Sequence, residues 1–117
     1  MAIVITILEN IAGKRNIMGS IFEDLRNIID LVNDKTRVGV CLNTCHAFIV
    51  RYDLRSLEAF ADTIERFDQT IGLWYLKALY LNDSKTPFNS RKDVYTNIRM
   101  GYLRLRAFYN VINYKPF

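Results

Sequence analysis

The chain's 117 residues suffice for one domain and no more. Half of them are hydrophobic and 24% charged, which excludes a wholly disordered chain, and no run approaches the roughly 20 apolar residues of a membrane-spanning helix. The formal charge of +4 is unevenly placed: residues 1–83 carry nine Lys/Arg against eleven Asp/Glu, and residues 84–117 carry seven against one.

Ala2 to Leu8 is β-branched and almost wholly apolar, which predicts a strand buried on both faces, as in a parallel sheet. It lacks a cationic flank and runs straight into Glu9, so it does not read as a signal peptide. Gly13 and Gly19 bracket a loop. Ser20 then opens a helix, with Glu23 completing a capping box and Ile21, Phe22, Leu25, Ile28, Ile29 and Val32 at helical spacing. Asn33-Asp34-Lys35 ends that pattern, and Val38–Leu42 is a second apolar strand. Cys41 and Cys45 fit neither a secreted disulfide framework nor a zinc knuckle, which needs a second cysteine pair. They read as reduced, buried thiols of an intracellular (cytoplasmic or nuclear) protein. After a polar loop, Ser56 caps a second helix with the apolar face Leu57, Phe60, Ala61, Ile64, Phe67 and Ile71. Tyr75–Leu81 is a third strand, about 82–101 a long loop, and Tyr102 to about Ile112 a third helix. On that helix Tyr102, Leu105 and Tyr109 are expected to pack on the sheet.

Strand and helix thus alternate three times, which argues for parallel strands joined by right-handed crossovers. The fold class read from this is α/β: residues 1–117 form one domain of about three consecutive parallel βα units, a partial TIM barrel, since a closed barrel has eight. Its open sheet edges invite self-association. Chemistry in such folds sits at the C-terminal ends of strands. Each strand here ends in polar residues: Glu9-Asn10, Asn43-Thr44-Cys45-His46, and Asn82-Asp83-Ser84. These clusters are expected to converge on one mouth.

The same clusters carry a family likeness. Leu8-Glu9-Asn10-Ile11-Ala12-Gly13, Arg37 to Phe48, Tyr52-Asp53-Leu54-Arg55, Leu79 to Lys85 and Ser90 to Tyr95 resemble, in order and in spacing, the motifs of endonuclease IV. The likeness runs from about Ile7 to Phe108 and matches the central-to-late part of such a barrel. It implies a zinc-dependent phosphodiester hydrolase that cuts DNA at abasic sites in base-excision repair. In such an enzyme zinc holds the phosphate and lowers the pKa of bound water. By this resemblance Glu9 stands at a bridging metal ligand and is the candidate catalytic carboxylate, while His46 and Asp93 stand at a histidine and an aspartate ligand.

Other positions depart from the family pattern. Asn43 replaces a ligand aspartate, and Tyr80 and Tyr95 replace ligand histidines. Asn89 and Arg99 stand where the family has glycine. An amide or a neutral phenol is a poor zinc ligand, and a single histidine cannot furnish a three-zinc cluster. Zn2+ is therefore implied by the family but expected to bind this chain poorly, and the chain alone is expected to cleave abasic duplex DNA weakly or not at all.

Two other functions fit the sequence. The basic last third (Lys85, Arg91, Lys92, Arg99, Arg104, Arg106 and Lys115) can serve a non-catalytic nucleic-acid-binding module, with Tyr95, Tyr102, Phe108, Tyr109 and Tyr114 stacking on bases. The chain can also be a degenerate, truncated product without function. The blander readings are specific too. Glu9 can hydrogen-bond to loop amides, His46 to a neighbouring backbone group, and Asp93 can pair with Arg91 or Lys92.

Overall fold

The structure is a computed structural model that describes residues 4–13 and 18–117. Its frame is a three-stranded parallel sheet of β1 (Thr6–Glu9), β2 (Val38–Asn43) and β3 (Leu76–Tyr80), in the order β1-β2-β3. Between β1 and β2 lies helix α1 (Phe22–Asp30). Between β2 and β3 lie α2 (Thr44–Val50) and α3 (Leu57–Thr70). After β3 the chain forms a short antiparallel ribbon, β4 (Asp83–Ser84) with β5 (Tyr95–Thr96), and ends in α4 (Arg104–Ile112). The three parallel βα units expected from the sequence are present.

β2 is the centre of the molecule. All six of its residues are buried, and alternate side chains Val38, Val40 and Leu42 enter a core with Phe22, Leu25, Ile29 and Phe67. β1 departs from expectation. Its part before Val4 lies outside the described residues, Val4 and Ile5 are not in the strand, and Thr6, Ile7 and Glu9 are exposed. The strand is apolar enough to be covered twice, but among the described residues it pairs only with β2, so one edge and one face meet solvent.

The helix starts show the same interplay of local and tertiary causes. Ser20 does not cap α1. The N-cap position is Ile21, which offers no side-chain bond. The hydroxyl of Tyr52 instead accepts the Phe22 N–H at 3.0 Å, its ring stacked on Phe22 at 3.8 Å, so a partner 30 residues away replaces the capping box. Ser56 caps α3 as read, accepting the Ala59 N–H at 3.0 Å. On α3, Phe60, Ile64, Phe67 and the following Ile71 are buried, whereas Leu57 and Ala61 face solvent and Thr63 takes a buried place. On α4 the buried face is Leu103, Ala107, Phe108 and Val111. Tyr102, Leu105 and Tyr109 are exposed, so the face expected from the sequence points the wrong way.

The segment expected to be a plain loop is built around one carboxylate. Asp83 is fully buried and accepts the backbone N–H groups of Ser84, Gly101 and Leu103 at 2.7, 3.1 and 2.8 Å. It joins the end of β3 to the start of α4. Gly101 is required there, because a Cβ would collide with the Ser84 carbonyl. Asp83→Ala would leave up to three buried donors without partners, at about 1–3 kcal/mol each. It is expected to destabilise the chain by at least about 3 kcal/mol in urea unfolding, more than Asp83→Asn, which keeps an acceptor.

Asn89 and Arg99 have φ of 59° and 79°, in the left-handed region. Asparagine tolerates this conformation; arginine is strained by about 1–2 kcal/mol, part of which glycine's greater unfolded freedom offsets. Arg99→Gly is expected to raise stability by up to about 1 kcal/mol and the midpoint of thermal unfolding by a few degrees.

Candidate functional site

Three strand ends meet at one edge of the sheet, and buried side chains stitch them together. Asn10, fully buried, works both ways on the backbone of Asn43: its Oδ1 accepts the Asn43 N–H at 2.6 Å, and its Nδ2 donates to the Asn43 carbonyl at 3.2 Å. Thr44 does the same for the other seam, its hydroxyl donating to the Asn82 carbonyl at 2.7 Å and accepting the Asn82 N–H at 3.0 Å. Neither residue was singled out from the sequence for this role. Their polarity in an apolar stretch just past a strand was the available signal.

Asn43 is the last residue of β2 and the N-cap of α2, a helix where a polar loop was expected. Its Oδ1 accepts the N–H groups of Cys45 and His46 at 3.0 and 3.2 Å, which starts the helix. Its Nδ2 donates to Glu9 Oε1 at 2.9 Å. The far end of α2 is held by the later loop, where Asn89 and Arg91 N–H groups reach the carbonyls of Phe48 and Ile49 at 3.2 and 2.9 Å. This anchorage carries Asp93 to His46.

His46 has one ring nitrogen on each side of this junction. Nδ1 lies 2.8 Å from the Asn10 carbonyl, an acceptor, so Nδ1 donates. Nε2 lies 3.1 Å from Asp93 Oδ2. Glu9 Oε1 is farther, 4.0 Å from Nδ1. The structure thus brings Glu9, Asn43, His46 and Asp93 together. His46 does bond to a backbone group, Glu9 bonds to a side-chain amide where loop amides were expected, and Asp93 faces His46 where Arg91 or Lys92 was the alternative.

The two tyrosines are not part of this cluster. Tyr80 is the register partner of Asn43, yet its ring is 57% exposed and only its carbonyl takes part, accepting from Thr44 at 3.2 Å. Tyr95, on β5, is 69% exposed. Among the described residues no hydrogen bond links either phenol to the cluster.

The donor set does not fit a three-metal centre. The sole imidazole spends Nδ1 on a carbonyl, and the Glu9 oxygen that faces β2 accepts an amide proton. Among the described residues no group of three or more His, Cys, Asp and Glu side chains is arranged to hold a metal ion, and no buried side-chain nitrogen or oxygen lacks a partner. His46 Nε2 with Asp93 is the imidazole–carboxylate pair at hydrogen-bond distance in the mouth, and Glu9 and Asp93 are its candidate ligands of acidic type.

A sequence profile described as a xylose isomerase-like TIM barrel matches residues 3–117. The chain belongs to this family. It is similar to the apurinic-apyrimidinic endonuclease 1 of Plasmodium falciparum (isolate 3D7), at 46% identity over 97% of this chain and 19% of that protein. The probable endonuclease 4 of Campylobacter curvus (strain 525.92) is also 46% identical, over 92% of this chain and 38% of that protein. Among solved structures, endonuclease IV from Thermus thermophilus superposes with a TM-score of 0.78 at 27% identity, covering 92% of this chain and 38% of that one. The endonuclease IV likeness and the partial-barrel fold read from the sequence are both borne out. The chain spans about a fifth to two fifths of the length of these relatives.

Behind the mouth lie the two thiols, free and buried as expected. Burial pushes the Cys45 thiol up to about 11; a hydrogen bond with Ser84 opposes this, and the charges of Asp93 and Asp83 add to it. Burial, with the charge of Glu9, also raises Cys41. A thiol raised in the folded state stabilises the fold below its unfolded value near 9.0, and that contribution is lost as pH rises through the folded value. Neither thiol is therefore expected to react with Ellman's reagent at pH 8 until the chain unfolds, and stability is expected to decline from about pH 9 upward.

Asp53 behaves oppositely. Burial pushes its carboxyl up, but the Arg55 guanidinium, at 2.9 and 3.0 Å, and the Arg55 N–H outweigh this and hold it below the usual range. Arg55 is itself stacked against Phe48 and Phe88 at 5.0 and 5.5 Å, so this pair braces the base of the loop that carries Asp93. Its contribution is present above the ordinary aspartate value near 3.8 and lost as pH falls through the lower folded value. The acid limb of the melting temperature against pH is expected to be shallower in Asp53→Asn than in the wild type.

Proposed function

We propose that this chain serves abasic-site repair of DNA as part of an apurinic/apyrimidinic endonuclease of the endonuclease IV kind, and that its 117 residues alone hold DNA with little or no cleavage. The observation that carries this reading is the meeting of Glu9, Asn43, His46 and Asp93 at the C-terminal edge of a parallel sheet, in a chain of this family. That edge is where barrel enzymes place their chemistry. Glu9 is the candidate catalytic carboxylate, and Glu9, His46 and Asp93 are the candidate metal-binding positions. Asn43, Tyr80 and Tyr95 are positions where ligand chemistry has been replaced. Zinc at a whole centre would polarise a phosphate and activate water, and this donor set supports no step through it.

DNA contact rests on other residues. Lys85, Arg91, Lys92, Arg99, Arg104, Arg106 and Lys115 are all exposed, and among the described residues none of them forms an ion pair. Arg91 and Lys92 directly precede Asp93, so positive charge flanks the mouth. Tyr95, Tyr102 and Tyr109 are exposed rings available for stacking, whereas Phe108 is buried and Tyr114 packs on Phe60 and Phe117. Self-association through the edges of β1 and β3 is the route by which isolated chains would cover Ile5 and Ile7, which are 45% and 41% exposed.

The expected outcome on an abasic duplex is no chelator-sensitive nicking above background, with binding that weakens about 10- to 100-fold between 50 and 200 mM salt, as for roughly two to four phosphate contacts. Arg91→Ala and Lys92→Ala should each lower the salt slope by about 1 without changing sequence preference. Zinc-restored nicking by the chain alone would refute the non-cleaving part. Salt-independent binding, or none, would remove the DNA assignment of the basic residues.

A further inference from the structure

The amide of Asn43 occupies the point between β1 and α2 where opposite demands meet. On one side a carboxylate, Glu9, needs a positive or proton-donating partner; on the other, the first N–H groups of α2 need an acceptor. Nδ2 answers the first at 2.9 Å and Oδ1 answers the second at 3.0 and 3.2 Å. Both acceptor sites of Oδ1 are thereby used. His46 and Asp93 answer each other, and Asn10 holds His46 from the opposite side. The Glu9 oxygen that faces β2 is thus held by an amide proton, and one Asp93 oxygen lies on the His46 ring.

We propose that Asn43 is a proton-donating cross-link that stands in place of a cation, so the mouth is a closed, metal-free hydrogen-bonded lock, and that the single change Asn43→Asp turns it into a divalent-cation site. The change is selective. A carboxylate keeps the cap on Cys45 and His46, since aspartate is as good an N-cap as asparagine and its charge suits a helix N-terminus. Only the donor to Glu9 is lost. Two carboxylate oxygens are then left at hydrogen-bond distance with no proton between them, an arrangement that repels. An oxygen-loving divalent cation is the species that relieves it, and two carboxylates with water suffice to hold one. This inference concerns the geometry of the mouth and stands apart from the repair assignment: it can fail while DNA binding holds, and hold while DNA binding fails.

The test uses the full 117-residue chain, wild type and Asn43→Asp, in thermal unfolding at neutral pH with EDTA, with Mn2+ and with Zn2+, alongside calorimetric titration with each metal. The wild type is expected to melt at the same temperature in all three and to show no saturable uptake. Asn43→Asp is expected to melt about 4–8 °C lower in EDTA and to recover that loss on saturable addition of Mn2+. Adding Glu9→Gln to Asn43→Asp is expected to abolish both the loss and the recovery, because it removes the repulsion. Saturable metal uptake by the wild type that disappears in Glu9→Gln overturns the proposal, as does an Asn43→Asp chain that folds but ignores metal. Should Asn43→Asp fold only with metal, the proposal is supported. Should it fold under no condition, the wild-type titration and its Glu9→Gln counterpart decide alone.

Discussion

Parallel strands end with unpaired backbone groups, and in this chain those ends are closed by short buried side chains reaching across the seams. Asn10 binds both backbone groups of Asn43, and Thr44 binds both backbone groups of Asn82. Buried polar groups are costly unless each is partnered. The two stitches therefore fix the height of β1 against β2 and of β2 against the exit from β3. Everything that makes the mouth a site, namely the approach of Glu9 to Asn43 and the aim of His46, depends on these heights.

The mouth is assembled from opposite directions in the chain. β1 brings Glu9, the β2–α2 junction brings Asn43 and His46, and a loop 47 residues beyond His46 brings Asp93. That loop is not free to wander. Its backbone is bonded to the last turn of α2, and Arg55, clamped by Asp53 and by two phenylalanine rings, supports it from beneath. The Asp83 carboxylate does the same for the turn into α4. The chain's long connection is thus a framed segment, which is why a region with little regular secondary structure can still hold an aspartate within hydrogen-bond distance of a histidine.

The substitutions relative to the family pattern have differing structural consequences. At Asn43 the amide caps α2 through its oxygen and presents a proton donor, not a second negative charge, to Glu9. At Tyr80 and Tyr95 the rings turn to solvent and leave the cluster. At Arg99 the backbone still has the left-handed conformation that suits glycine, so a strained residue occupies a turn shaped for one without a side chain.

Three parallel βα units, the strand-end clusters and the Ser56 cap were legible in the sequence, because apolar β-branched runs, helical spacing and a capping residue act within a few neighbouring positions. The kinship was legible too, because its motifs are long and ordered. What the sequence could not supply was anything decided by contacts between distant segments. α2 was read as part of a polar loop because Thr44–Val50 has no alternation of polar and apolar faces to mark a helix; it is helical because Asn43 caps it and the core encloses it. The cap of α1 belongs to Tyr52, 30 residues on, and the inward face of α4 is set by where Asp83 anchors its first turn. Local pattern chose the strands and most of the helices. Only the packed structure decided which way the helices face and which proton each oxygen of the mouth receives.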